Sequence, residues 1–292
     1  MADIGKYEPT VTRRTRSISL RGVDYHVNEW GDEDAPLFVY LHGWADTGST
    51  FQFVVDALQS EWRVVAPDWR GFGRTVHRSE SYWFPDYLAD LHALLDDYSP
   101  GVPARLVGHS MGANVAALFA GTMPERVAAM VNIEGFGLGD SNPNDAPQRY
   151  RDWLESGQAA PEFSTYPDFE SLAMRIRKRS PGLSERQADF VAREWAMEDS
   201  GVVRLRADPR HKLPNPVLYR RAEAEACWRN VRAEVLLISG DRSPFASQFG
   251  STSDLPFPHK RSTMIKGVGH MIHFEAPQRL AEQIEQFLKQ PL

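Results

Sequence analysis

"ARLVGHSMGANVAALFAGTM", residues 104–123, changes regime in its middle. The apolar run up to Gly108 reads as a strand covered on both faces, and the small, apolar residues from Met111 onward read as a helix. Ser110 stands at the junction, with Gly108 and Gly112 two residues away on either side. A chain that passes from strand to helix so abruptly strains the residue at the corner and brings neighbouring backbones close, so small flanking residues are required. The serine hydroxyl is then expected to stand exposed at the carboxyl edge of a sheet.

Outward from this junction, strand and helix patterns alternate. "LFVYLHG" (37–43), "WRVVAPDWRG" (62–71), "VAAMVNIEGFG" (127–137), "AEVLLISG" (233–240) and "RSTMIKG" (261–267) read as strands or strands with their turns. "STFQFVVDALQ" (49–59), "WFPDYLADLHALLDDY" (83–98) and "APQRLAEQIEQFLKQ" (276–290) read as helices. Such alternation predicts a mostly parallel sheet. "SISLRGVDYHVNEWG" (17–31) differs, because it alternates apolar and polar residues about Arg21-Gly22, as an antiparallel hairpin at the sheet edge does. After Gly139 turn formers and mixed-charge helical segments take over, including "RQADFVAREWAM" and "YRRAEAEACW". The division expected is a core over residues 1–139 and 232–292, interrupted by a helical cap over 140–231.

Composition narrows the function classes. The 292 residues are 42% hydrophobic and 25% charged, with eight tryptophans, enough for a sizeable core. A net charge of -6 without a long basic run argues against nucleic acid or an anionic membrane as partner, and leaves a small-molecule substrate. Cys227 is the single cysteine, which excludes an internal disulfide. No secretion-signal pattern and no uninterrupted apolar span is seen, so a cytoplasmic protein is expected. Neither a metal nor an organic cofactor is called for.

Two further stretches complete a chemistry around Ser110. His42-Gly43-Trp44 ends an earlier strand, so the Trp44 N–H, with that of Met111 just after the serine, is suited to bind a developing oxyanion. His270 lies in a glycine-rich loop after the last strand, suited to present an imidazole to the serine, with His273 as its rival. His42, Gly43 and Phe136 are candidate substrate contacts. The motifs "LHGW" (41–44), "DWRGFGRT" (68–75), "GHSMG" (108–112) and "GVGHMIHFEAP" (267–277) resemble those of the α/β-hydrolase superfamily over about two thirds of the chain. That resemblance implies an eight-stranded, mostly parallel sheet with a helical cap inserted after the sixth strand, Ser110 as nucleophile and His270 as base. It implies that His273 packs or supports, that His109 and His42 line the pocket or are structural, and that the 68–75 loop holds its shape beside the pocket. A serine at this place argues against haloalkane dehalogenase or epoxide hydrolase chemistry, which uses aspartate there, and the cap is most similar to that of the serine hydrolase-like proteins.

The acid is the departure. In the commoner pattern of the family it lies three residues beyond the glycine ending the seventh strand, and Ser243 stands there. Two carboxylates remain: Glu134 in "VNIEGFG" (131–137), at the end of the sixth strand, and Asp241 in "LLISGDRSPF" (236–245). Glu134 follows apolar residues and is expected to be drawn inward, where it needs a partner such as a histidine. Asp241 has the surroundings of a turn residue that bonds its own backbone. The reading adopted is Glu134, with Asp241 as the alternative. The expected activity is cleavage of a carboxylic ester or thioester through an acyl-enzyme. C–C bond hydrolysis or lactone opening on the same residues is an alternative, as is a non-catalytic ligand-binding protein of the same fold.

Overall fold

The computed structural model describes residues 5–156, 161–245 and 252–290; residues 1–4 of the amino-terminal stretch and 157–160 of the expected insertion lie outside the described residues. β1 (Arg14–Leu20) and β2 (Val23–Trp30) pair antiparallel across Arg21-Gly22. Both turn residues have positive φ, 51° and 78°, the twist that a two-residue hairpin demands. β3 (Leu37–Leu41), β4 (Arg63–Pro67), β5 (Ala104–His109) and β6 (Val127–Ile133) follow, and two later strands join them. These two are labelled β9 (Glu234–Gly240) and β10 (Lys260–Ile265), because β7 (Ala196–Asp199) and β8 (Val202–Leu205) intervene. The eight-stranded sheet runs β1-β2-β4-β3-β5-β6-β9-β10, antiparallel at β1-β2-β4 and parallel from β4 to β10.

The dense apolar strands are explained by two covered faces. Val39 and Leu41 of β3, Leu106 of β5 and Leu237 of β9 point to one layer, with Leu91 and Leu94 of α2 (Phe84–Tyr98), Val115 of α3 (Met111–Thr122) and Trp228 of a later helix. Phe38 and Tyr40, Val107, and Leu236 and Ile238 point the other way, onto Val54 of α1 (Gln52–Val55) and the carboxy-terminal helices. The period-two alternation thus sorts one strand into two cores.

One expected helix is shorter than its pattern. The stretch 49–59 forms a 3₁₀ turn, Gly48–Phe51, and then only α1. Glu285 explains the stop: its carboxylate accepts from the Gln59 and Ser60 N–H groups at 3.0 and 2.8 Å, competing with further helical turns.

Between β6 and β9 lie α4 (Ala146–Ser156), α5 (Phe169–Arg179), α6 (Glu185–Trp195) and α7 (Arg221–Arg229). The insertion is not wholly helical: "RQADFVAREWAM" leaves the helix at Trp195, and β7 and β8 form an antiparallel ribbon. Ser200 and Gly201 turn it at φ 53° and 79°, so the Ser-Gly pair was the available signal. α8 (Ile272–Glu275) and α9 (Pro277–Leu288) close the chain. No described helix is long and apolar enough to cross a membrane.

Charge ties the insertion to the sheet. Glu194, at the end of α6, accepts from Arg13 at 2.9 Å and Arg74 at 2.7 Å. Burial raises its carboxyl, but the two guanidinium groups outweigh that and hold it down to about 2. A depressed folded-state value means that the ionised form stabilises the fold above the ordinary pKa of 4.5 and ceases to do so as pH falls towards 2. The linkage amounts to roughly 3 kcal/mol. Glu194→Gln is therefore expected to lower the melting temperature at neutral pH, and the gap between variant and wild type should narrow as pH falls from 4.5 to 2. A gap constant across that window would refute the assignment.

Candidate functional site

Three strained residues mark the carboxyl edge of the parallel strands. Ala45, Ser110 and Glu134, which follow β3, β5 and β6, have φ of 58°, 51° and 59°. Among the described residues the remaining non-glycine residues with positive φ, Arg21 and Ser200, sit in hairpin turns. Such strain persists only where the surroundings over-determine it. At Ser110 they do: its N–H donates to the Ile133 carbonyl at 2.8 Å, and the flanking glycines admit close backbone. A Cβ on Gly108 would meet the Ala113 Cα at 2.5 Å, and one on Gly112 would meet the Leu41 carbonyl oxygen at 2.1 Å. Ser110 itself is half-buried and precedes Met111, the first residue of α3, where backbone N–H groups have no intrahelical acceptor.

Glu134 is drawn inward as its sequence surroundings suggested, with its side chain wholly buried. Its Oε1 accepts from the Gly240 N–H at 2.7 Å, and its Oε2 accepts from the Ser243 hydroxyl and faces His270 Nδ1 at 3.2 Å. Ser243 is the residue the sequence reading treated only as a missing acid. It is instead a donor to the carboxylate that occupies its neighbourhood, a role readable only by pairing it with Glu134. Asp241 is exposed, and its Oδ1 accepts from the Gly267 and Val268 N–H groups at 2.6 and 3.3 Å. It thus bonds backbone, though of the loop before His270 rather than its own turn.

His270 is held from both ends. Its Nδ1 meets Glu134, and its carbonyl accepts from His109 Nε2 at 3.0 Å, while the Phe245 ring lies 4.5 Å from its imidazole. Among the described residues no hydrogen bond joins His270 to the Ser110 hydroxyl. Gly43 draws the loop after β3 against the serine: a Cβ there would be 3.2 Å from Ser110 Cβ and 2.9 Å from His109 Nδ1. Trp44, next along, is 47% exposed, with its ring 6.4 Å from Phe72 and 6.0 Å from Phe163.

Two expected substrate contacts are corrected. His42 is fully buried; its Nδ1–H donates to the Gly43 carbonyl at 2.7 Å and its Nε2 accepts from the Trp69 N–H at 2.8 Å. With both nitrogens spent on backbone it fixes the loop and offers no surface to a ligand, and burial pushes it down to about 4, so it is neutral. Phe136 is 3% exposed and belongs to the core layer beneath α3 and α7. Sequence reasoning also missed Asp46, whose buried carboxylate gathers Thr47 N–H, Thr50 hydroxyl, Trp195 Nε1 and His273 Nε2 within 3.1 Å. Burial raises its carboxyl, and the His273 hydrogen bond leads the contacts that bring it below its ordinary value. Asp68, in the 68–75 loop, accepts from the Gly48 and Arg74 N–H groups, both at 2.8 Å, and from Asn28 Nδ2 of β2 at 3.2 Å.

The α/β-hydrolase fold family model matches residues 36–277, and the chain belongs to that family. It is similar to a serine hydrolase-like protein of Danio rerio, 27% identical over 278 residues that span 89% of this chain and 83% of the relative. A 2-(acetamidomethylene)succinate hydrolase of Mesorhizobium japonicum is 23% identical, with 94% of this chain and 95% of the relative covered. Among solved structures, the thioesterase domain from the curacin biosynthetic pathway superposes with a TM-score of 0.84 at 25% identity, over 94% of this chain and 99% of that one.

The approach of the β3 loop to the serine is testable. Gly43→Ala inserts a methyl against His109 and Ser110 and should destabilise the fold by about 1–3 kcal/mol, as overpacking does. Chemical denaturation measures this, and an unchanged midpoint would contradict the close approach.

Proposed function

We propose that this protein is a serine hydrolase that cleaves a small carboxylic ester or thioester through an acyl-enzyme on Ser110. The observation that carries the reading is the 3.2 Å contact between His270 Nδ1 and Glu134 Oε2, beneath a serine held at φ 51°. A carboxylate on Nδ1 keeps the proton on that nitrogen and leaves Nε2 as the base. His270 Nε2 then takes the Ser110 proton as the oxygen attacks the carbonyl carbon. The oxyanion is met by the Trp44 and Met111 N–H groups, the second at the positive end of α3. Collapse expels the alcohol or thiol, which receives the proton from His270, and water repeats the sequence to free the acid.

Glu134 stabilises the imidazolium while Gly240 and Ser243 share its charge. A thioester is favoured beside an oxygen ester by the likeness to a thioesterase domain, and Trp44 and Phe163 suit an apolar acyl or alcohol group. In this reading residues 140–231 cap the site and 1–139 with 232–292 form the core.

Fluorophosphonate labelling tests the nucleophile: wild type should be modified at Ser110 and Ser110→Ala should be neither labelled nor active, with its fold intact. A folded wild type that resists the label would favour a binding protein over a catalyst. Turnover of p-nitrophenyl esters and acyl thioesters then identifies the acid. Glu134→Gln should lower turnover by at least about a hundredfold with little change in KM, and Asp241→Asn by less than about tenfold, since an amide oxygen still accepts from the Gly267 N–H. The reverse ranking would move the acid to Asp241.

A further inference from the structure

Behind the proposed catalytic residues lies a second cluster that hydrolysis does not use. Asp46, His109 and His273 come from the loop after β3, the end of β5 and α8, and all three are buried. One donor atom from each lies within 4.8 Å of the other two. The His109 and His273 rings have centroids 4.6 Å apart.

The hydrogen bonds orient both rings. His109 Nε2 faces a backbone carbonyl, which only accepts, so the proton is on Nε2 and Nδ1 carries a lone pair. His273 Nε2 faces the Asp46 carboxylate, so the proton of that bond is on Nε2 and Nδ1 points away from it. Neither Nδ1 has a hydrogen-bond partner among the described residues, although both are buried. Two buried ring nitrogens without a partner are costly. Histidines that bind metals are oriented in this way, with the second nitrogen donating to a carboxylate or a backbone carbonyl.

We infer that Asp46, His109 and His273 form a binding site for a nitrogen-preferring divalent transition metal such as Zn²⁺, with the two imidazoles as ligands and Asp46 orienting or joining them. Donors around a tetrahedral Zn²⁺ sit about 3.3 Å apart, and one donor atom from each of the three residues already lies within 4.8 Å of the others. Mg²⁺ and Ca²⁺, which take oxygen ligands, do not fit this donor set. His109 precedes Ser110 and holds the His270 carbonyl, so drawing its ring onto a metal disturbs both. Occupation therefore inhibits turnover, a consequence that rests on the proposed hydrolase reading, whereas binding does not.

Isothermal titration calorimetry of the chelator-treated full chain with ZnCl₂ is the test, with MgCl₂ as control. One Zn²⁺ per chain should bind, Mg²⁺ should not, and His109→Gln and His273→Gln should each weaken Zn²⁺ by about 10–100-fold. Circular dichroism identifies whichever variant fails to fold, and the other then decides. No Zn²⁺ binding by wild type, or binding unaltered in the folded variant, would overturn the site. Zn²⁺ bound at this site without loss of ester or thioester turnover would overturn the inhibitory role. Absence of turnover under every condition would refute the hydrolase reading and leave the calorimetric result standing.

Discussion

A carboxylate inside a protein must be paired, and the pairing of Glu134 organises the carboxyl edge of the sheet. Its side chain is wholly buried, and an unpaired charge there would be untenable. Three groups from different segments meet it: the Gly240 N–H at the end of β9, the Ser243 hydroxyl, and His270 from the loop after β10. The register of β6 beside β9, with Ile133 opposite Ile238, brings these groups to one point. The Glu134 N–H donates to the Ile238 carbonyl at 3.0 Å, so backbone and side chain of one residue stitch the same two strands.

This pairing also bears on why the proposed acid is at 134 and not at 243. A carboxylate at position 243 would face the Glu134 carboxylate across hydrogen-bond distance, and two charges there repel. A serine at 243 and a glutamate at 134 are therefore two halves of one choice. The short hydroxyl donates where a second acid would clash, and the longer side chain of Glu134 spans to the histidine.

What the sequence made legible follows from the range of the forces involved. The parallel sheet, the edge hairpin and the Ser110 corner rest on local periodicity and local sterics, and each was readable from a window of about a dozen residues. The β7–β8 ribbon was missed because its strands have four residues each, too short for an alternation to outweigh the helical pattern of "RQADFVAREW" before it. His42 and Phe136 were read as substrate contacts from their nearness in sequence to Trp44 and Glu134. Their burial depends on partners elsewhere in the chain, Trp69 for the one and the α3 and α7 layer for the other. Asp46 escaped for the same reason, since its histidine partner is 227 residues away.

Asp46 also shows why the insertion and the site are mechanically one object. Its carboxylate receives Trp195 Nε1 at 2.7 Å from the end of α6 and His273 Nε2 at 3.1 Å from α8, while Thr47 and Thr50 fix it to the loop that carries Gly43 and Trp44. Trp195 adjoins Glu194, which is gripped by Arg13 and Arg74. The insertion is therefore anchored to the core within one helical turn of the group that touches both the β3 loop and the histidine segment. Trp195 thus gives Asp46 a donor and its neighbour Glu194 gives two arginines an anion, while His273 lies on α8, which begins two residues after His270. The end of α6, the β3 loop and the histidine segment are thus joined through one buried carboxylate.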